Sequence, residues 1–275
     1  MIALLTDFGL TDIYVGVMKG VMRTIHPQAE FVDITHDIQP QNVRQAGFAL
    51  LNSYRYFPDE TVFLVVVDPG VGSSRKPIAV QTGGCLFVAP DNGVLSFVLH
   101  EMRDAAIVEL NNPTYQLATV SSTFHGRDIF APAAAHLSKG VALRALGTPL
   151  LDAAMLPEPI LEVNGERISG EVMHIDRFGN VTTSIGSLRW QSPERLMLNA
   201  RFGDYGSIAV PSQEAMITIG GQAIASIRPT FAEVDRGEVL ALVESSGYLE
   251  IAVNQGNCAE RLHVSIGDPV ELQIG

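Results

Sequence analysis

Apolar residues in the first half of the chain follow two alternating rhythms. Ile2–Thr6, Phe31–Ile34 and Thr61–Val67 are short, nearly unbroken apolar runs and predict strands. Between them Tyr14, Val17, Met18, Val21, Met22 and Ile25 recur at helical spacing, with Thr11 and Asp12 placed to cap that helix. Val43, Ala46, Leu50 and Tyr54 mark a second helix that Pro58 stops. Two short strands follow, Ile78–Gln81 and Cys85–Ala89, and Pro90-Asp91-Asn92-Gly93 opens a helix toward Met102. A last helix is predicted from near Asp128, with Ile129, Ala133, His136 and Leu137 on one side and Pro132 within its first turn. This succession predicts an α/β domain with a largely parallel central sheet.

After Leu150 the helical period disappears. Ile168–Ile175, Val181–Ile185, Leu196–Leu198, Ile208–Val210, Glu238–Val243, Tyr248–Val253 and Pro269–Gln273 alternate between Gly, Asn, Asp and Ser turns. Closely spaced strands of this kind predict a smaller all-β domain, an antiparallel barrel or sandwich. Pro157 and Pro159 mark the change, which divides the chain into an α/β domain (1–155), a linker (156–165) and a β domain (166–275).

Composition narrows the function. The 275 residues are 47% hydrophobic and 17% charged, as expected of a globular protein with a sizeable core. A net charge of −12 argues against nucleic acid as a partner, since phosphate binding needs clustered Lys and Arg. No apolar run is long enough to span a bilayer, and the chain starts as a strand rather than a basic leader. The two cysteines, Cys85 and Cys258, have neither a metal-ligand nor a disulfide spacing, so a reduced, cytoplasmic setting is expected.

Several polar residues fall where strands end. The run Val65-Val66-Val67-Asp68-Pro69-Gly70 turns an apolar strand into a carboxylate, and Arg75 follows close enough to hold it ionised. Asp7 ends the first strand in the same way; it is either an acceptor for a ribose diol or a turn acid for the next helix. His125 precedes a helix and suits proton transfer near neutrality, or else caps that helix or pairs with Asp128. Since Asp68, Arg75 and His125 all follow strands of one layer, they can meet on one rim and orient and deprotonate a water. In the second half, Asp176-Arg177-Phe178-Gly179-Asn180 offers a carboxylate, an aromatic face and an amide, either an adenine-reading group or a hairpin with a core Phe. Phe231 and Ser245-Ser246 lie in comparable turns. No GxGxxG, P-loop, GxSxG or His-rich ligand pattern is present, so a dinucleotide, a nucleotide phosphate, a serine nucleophile and a metal are not indicated.

Taken in order, Thr6-Asp7-Phe8-Gly9, Val67-Asp68-Pro69-Gly70-Val71-Gly72, Ala89-Pro90-Asp91-Asn92-Gly93, Thr123-Phe124-His125-Gly126-Arg127-Asp128, Asp176-Arg177-Phe178-Gly179-Asn180 and Ser245-Ser246-Gly247-Tyr248-Leu249 resemble the S-adenosyl-L-methionine hydroxide adenosyltransferases. Fluorinating and chlorinating enzymes are among that family's relatives, and the resemblance covers nearly the whole chain. It implies attack of water or hydroxide on ribose C5′ of S-adenosylmethionine, giving adenosine and methionine, with no cofactor and no metal. It also implies a homotrimer with the substrate between subunits.

By the same resemblance Asp68, Arg75 and His125 form a water-activating triad, and Asp7 holds the ribose hydroxyls. Phe178, Asn180 and Phe231 contact adenine, and Asp176, Ser245 and Ser246 take the methionine end. His125 is expected as the base, with Asp68 orienting it or the water and Arg75 fixing Asp68. The halogenating relatives carry tyrosine at the position of Asp68 and lack a histidine at position 125. The fluorinating ones place a halide-binding serine where Gly126 stands here and an arginine where Ser246 stands. These departures favour water over halide. The alternatives are a chloride-dependent adenosyl transferase and a non-catalytic adenosine or S-adenosylmethionine sensor.

Overall fold

The computed structural model describes residues 1–102 and 104–275. It separates into two compact units, 1–156 and 157–275. In the first, β1 (Ile2–Thr6), α1 (Tyr14–Ile25), β2 (Phe31–Thr35), α2 (Val43–Ser53) and β3 (Val62–Val66) alternate in the order the apolar rhythm predicts. β1 and β3 are buried along their whole length, which is why neither shows polar alternation. Each fully buried Val, Leu or Ile contributes about 1.5–3 kcal/mol.

The rest of this unit comprises β4 (Pro77–Thr82), β5 (Cys85–Pro90), α3 (Ser96–Glu101), β6 (Ala106–Glu109), α4 (Ala131–Ser138) and β7 (Thr148–Leu150). The sheet runs in the order β2-β1-β3-β5-β4-β6-β7. It is mixed, and this corrects the expectation of a largely parallel sheet. β2, β1, β3 and β5 are parallel, while β4, β6 and β7 join by antiparallel pairing. The reason is local: Gly83 and Gly84 take φ of 54° and 79°, the turn that joins two strands as a tight hairpin. With no room for a crossover, β4 and β5 can only be antiparallel.

Two helix ends also differ from expectation. α1 starts at Tyr14, and Ile13 rather than Thr11 sits at its N-cap, without a side-chain capping bond. The helix expected from Asp128 begins as one wide turn, Gly126–Phe130, closed by the Ala131 N–H on the Gly126 carbonyl, and then tightens into α4. Pro132 has no N–H for the Asp128 carbonyl, which instead accepts the Leu117 N–H at 2.9 Å.

The second unit contains β8 (Leu161–Asn164), β9 (Arg167–Ile175), β10 (Val181–Thr183), β11 (Leu188–Ser192), β12 (Arg195–Leu198) and β13 (Ile208–Pro211). It continues with β14 (Met216–Ile219), β15 (Gln222–Ala225), β16 (Ile227–Arg228), β17 (Val239–Val243), β18 (Leu249–Val253), α5 (Cys258–Leu262) and β19 (Pro269–Gln273). The main sheet runs β15-β14-β19-β9-β10-β18-β17-β16, and β11, β12 and β13 form a separate three-stranded sheet. The two edge strands, β15 and β16, are consecutive in the chain, with only Ser226 (φ 65°) between them. That kink brings the ends of the sheet round toward each other, so it is nearly closed and barrel-like. Residues 161–164, read from sequence as linker, are β8, paired antiparallel with β9.

Candidate active site

The order β2-β1-β3 places a topological switch between β1 and β3, because the crossover from β1 goes to one side and the next, from β2, returns past β1 to the other. Ligand crevices in open α/β sheets form at such a point, beyond the carboxyl ends of the strands. Asp7 directly follows β1 and Asp68 follows β3. A cavity of about 410 Å³ opens there, lined by Asp7, Phe8, Tyr14, Asp68, Phe124 and His125 among others.

Its floor is a hydrogen-bonded cluster. Arg75 grips Asp68 with a two-pronged fork, Nε to Oδ1 at 2.8 Å and Nη2 to Oδ2 at 2.5 Å. The same Nη2 lies 2.7 Å from Nδ1 of His125. Both members of the ion pair are almost wholly buried, with side-chain exposures of 8% and 6%. Arg75 stacks over the Phe130 ring at 5.3 Å and does not itself line the cavity. It therefore braces Asp68 and His125 from behind.

This geometry fixes the state of the imidazole. A guanidinium only donates, so Nδ1 of His125 must accept, and the neutral ring carries its proton on Nε2. Burial, then the adjacent Arg75 charge, hold the His125 pKa below its ordinary value against the opposing pull of Asp68, Asp128 and the Ser121 backbone. A neutral ring with Nδ1 engaged and Nε2 protonated has no free lone pair for a water proton. The expectation that His125 is the base does not fit this arrangement. Asp68 does fit, since each of its oxygens keeps a lone pair beyond the one given to Arg75.

The loop carrying His125 is held by Asp128. Its buried carboxylate accepts the Ser121 N–H at 2.8 Å and a fork from Arg127. Burial pushes that carboxyl up, but the Arg127 and Ser121 bonds outweigh it and keep the group below the usual carboxylate range. Asp7 is held by a backbone donor: the Gln41 N–H reaches its Oδ2 at 2.8 Å. Oδ1 accepts no hydrogen bond among the described residues. Behind it, Thr6 Oγ1 lies 2.8 Å from Nδ1 of the buried His36. Phe8, Tyr14 and Phe124 form an aromatic wall, with ring centroids 5.1–6.2 Å apart.

In the second unit, Phe178, Asn180 and Phe231 converge on a cavity of about 380 Å³ with Val253, Gln255 and Gly256. Phe178 is 74% exposed, far from a core position. Asp176 shapes the turn that presents it: Oδ1 accepts the N–H groups of Phe178 and Asn180, and Oδ2 accepts Asn180 Nδ2. Gly179 (φ 83°) is required there, because a Cβ would lie 2.0 Å from Asn257 Oδ1. Asp176, Ser245 and Ser246 do not line this cavity. The two serines sit in a turn gathered by Glu244, which accepts the Ser246 N–H at 2.8 Å and the Ser245 hydroxyl at 3.3 Å. Nearby Glu250 is buried, and burial, with Asp176 and Glu244, pushes its carboxyl up to about 7.

Sequence reasoning did not assign Tyr14, Gln41, Val253 or Gln255 to a site. Tyr14 stood at the edge of an apolar helical stripe and read as core. The backbone N–H of Gln41, presented from a positive φ of 68°, has no signal in sequence. Among the described residues no group of three or more His, Cys, Asp and Glu side chains is arranged to hold a metal ion. No helix among them is long and apolar enough to cross a membrane.

A mixed α/β unit with an acid–arginine–histidine cluster at its switch point, followed by a barrel-like β unit, has a counterpart among known proteins. The chain belongs to the SAM hydroxide adenosyltransferase family: residues 2–147 match its N-terminal domain and 170–271 its C-terminal domain. The chain is similar to the (R)-S-adenosyl-L-methionine hydrolase of Thermus thermophilus, with 38% identity over 98% of this chain and 97% of the relative. It is 35% identical to the protein of the same name from Salinispora arenicola, over 100% of this chain and 98% of the other. An uncharacterized conserved protein from Thermotoga maritima, known from its crystal structure, superposes with a TM-score of 0.87. It is 41% identical, covering 99% of this chain and 100% of its own.

Proposed function

We propose that the protein hydrolyses S-adenosyl-L-methionine to adenosine and L-methionine. Water attacks ribose C5′ opposite the sulfonium; the C5′–S bonding pair leaves with sulfur as the neutral thioether, and one water proton is released. The leaving group needs no acid. What the reaction needs is a nucleophile held in line about 3 Å from carbon, and such positioning can supply roughly 7–11 kcal/mol. The observation that carries this reading is the buried Asp68–Arg75–His125 cluster beside the 410 Å³ cavity.

In this reading the His125 Nε2–H donates to the water oxygen and fixes its position. Asp68 accepts the proton as the C–O bond forms and passes it to solvent. A base so placed adds about 10²–10⁴-fold. Arg75 fixes the orientation of Asp68 through its fork and keeps His125 in the donating tautomer. Asp7 accepts from the ribose diol through its free oxygen, Phe178 and Phe231 take the adenine faces, and Asn180 reads its edge. The methionine end falls to Asp176, Ser245 and Ser246.

The relatives' name specifies the (R) sulfonium epimer, and this epimer is the one expected to turn over here. A homotrimer that encloses each substrate between subunits is part of the same proposal; it accords with the exposure of Leu10, Ile13, Phe178 and Phe231. The test is incubation with each sulfonium epimer in chelator-treated buffer, with chromatographic identification of products. Adenosine and methionine in equal amounts are expected. Intact substrate under conditions where binding is demonstrated would point to a sensor, and a 5′-halogenated adenosine to halide as nucleophile.

A further inference from the structure

The Pro90-Asp91-Asn92-Gly93 turn has no part in the chemistry described so far, yet it holds both ends of the loop that carries Asp68 and Arg75. β3 pairs with β5 only as far as Leu64 opposite Val88. Val67, just before Asp68, is fully buried beyond that ladder, and its carbonyl must find a donor elsewhere. Asn92 supplies it, Nδ2 to the Val67 carbonyl at 2.9 Å, while its Oδ1 accepts the Val94 N–H at 3.2 Å. At the other end of the loop, the Asp91 N–H donates to the carbonyl of Lys76, the residue after Arg75, at 2.8 Å. The turn is itself anchored: Ala154 N–H donates to Asp91 Oδ1 at 2.7 Å, and Leu156 N–H to Ser96 Oγ at 2.7 Å.

We propose that Asn92 is a positioning residue for the catalytic cluster. By replacing the missing ladder bond at Val67, it fixes the backbone from which Asp68 projects and so sets the register of the Asp68–Arg75 fork and of the Arg75–His125 contact. The inference rests on the hydrolysis reading for its catalytic consequence, but the positioning itself is a property of the free protein. A fork with two bonds tolerates little misplacement of either backbone.

The test uses the full chain with Asn92→Asp, which keeps the shape and the acceptor for Val94 but turns an oxygen toward the Val67 carbonyl, and with Asn92→Ala. The first readout needs no substrate: the NMR signal and solvent exchange of the Arg75 Nε–H, with the Arg127 Nε–H bound to Asp128 as internal control. Expected is a shifted, faster-exchanging Arg75 signal in both variants with the Arg127 signal unmoved. The second readout is kinetic: kcat at least about tenfold lower with KM within about threefold. Asn92→Ser stands in for a variant that fails to fold. An unmoved Arg75 signal in a folded variant, whatever its melting temperature, overturns the proposal. Absence of turnover in the unaltered protein would defeat the hydrolysis reading alone and leave the spectroscopic result to decide the role of Asn92.

Discussion

Arg75 Nη2 lies 2.7 Å from His125 Nδ1, so the imidazole lone pair that could have served as a base is already engaged by a group that can only donate. Arg75 thereby does two things at once, orienting Asp68 through the fork and holding His125 in its Nε2–H form. Arg75→Lys keeps the charge but loses the fork and the bridge to His125. It is expected to lower kcat by about 10²-fold with KM little changed, measured under steady-state conditions. A kcat within a factor of two of the original would contradict the bridging role.

Removing the imidazole separates positioning from binding. His125→Ala is expected to reduce kcat by about 10²–10³-fold while the affinity for adenosine, measured by calorimetry, stays within a few-fold. Asp68→Asn should cost at least as much, because it removes both the proton acceptor and the ionic half of the fork. If His125→Ala left turnover intact, the imidazole would have no place in the mechanism.

The pH dependence follows from the lowered pKa of His125. Protonating the ring removes the Nδ1 acceptor and sets a second cation against Arg75, so activity is lost as pH falls through the folded-state value. Because burial and then Arg75 depress that value, the acid limb of kcat is expected below the ordinary histidine pKa of about 6.5. A limb centred above about 7 would contradict it.

Glu250 predicts a pH effect on stability rather than rate. Its folded pKa is raised to about 7 by burial, with Asp176 and Glu244 adding repulsion. A raised acid contributes stability that is fully present below its unfolded value of about 4.5 and is lost as pH rises through about 7. Glu250→Gln should therefore flatten the fall in melting temperature between pH 5 and 8 (assay conditions) and stabilise the protein at the alkaline end by on the order of 1–3 kcal/mol. An unchanged pH slope would show that this carboxyl is solvated.

Substrate anchoring at the ribose and base predicts effects on KM. Asp7→Asn weakens acceptance from the diol and should raise KM about tenfold or more, roughly 1.4 kcal/mol. Phe178→Ala removes a stacking face worth about 1–3 kcal/mol and should act in the same direction. Large losses in kcat at unchanged KM for either would move these residues out of the binding role.

Much of this was legible in the sequence where burial dictates composition. β1 and β3 are apolar throughout because both faces are covered, and the acids that end them could hardly fall anywhere but a strand's carboxyl edge. The antiparallel half of the first sheet was hidden because the direction of β4 against β5 depends on the φ values of Gly83 and Gly84, which an apolar rhythm does not carry. β8 was masked by the prolines before it, and Tyr14 by a helical period that does not say which edge of a stripe faces a cavity. The roles of Arg75 and Asn92 depend on partners 50 and 25 positions away, His125 and the Val67 carbonyl, and only the fold brings these together.

Oxygen labelling tests the central claim most directly. In a single-turnover reaction with S-adenosyl-L-methionine in ¹⁸O-water, attack at C5′ places the label in the 5′-hydroxyl of adenosine and leaves methionine unlabelled. Adenosine carrying no ¹⁸O at that position would contradict the account.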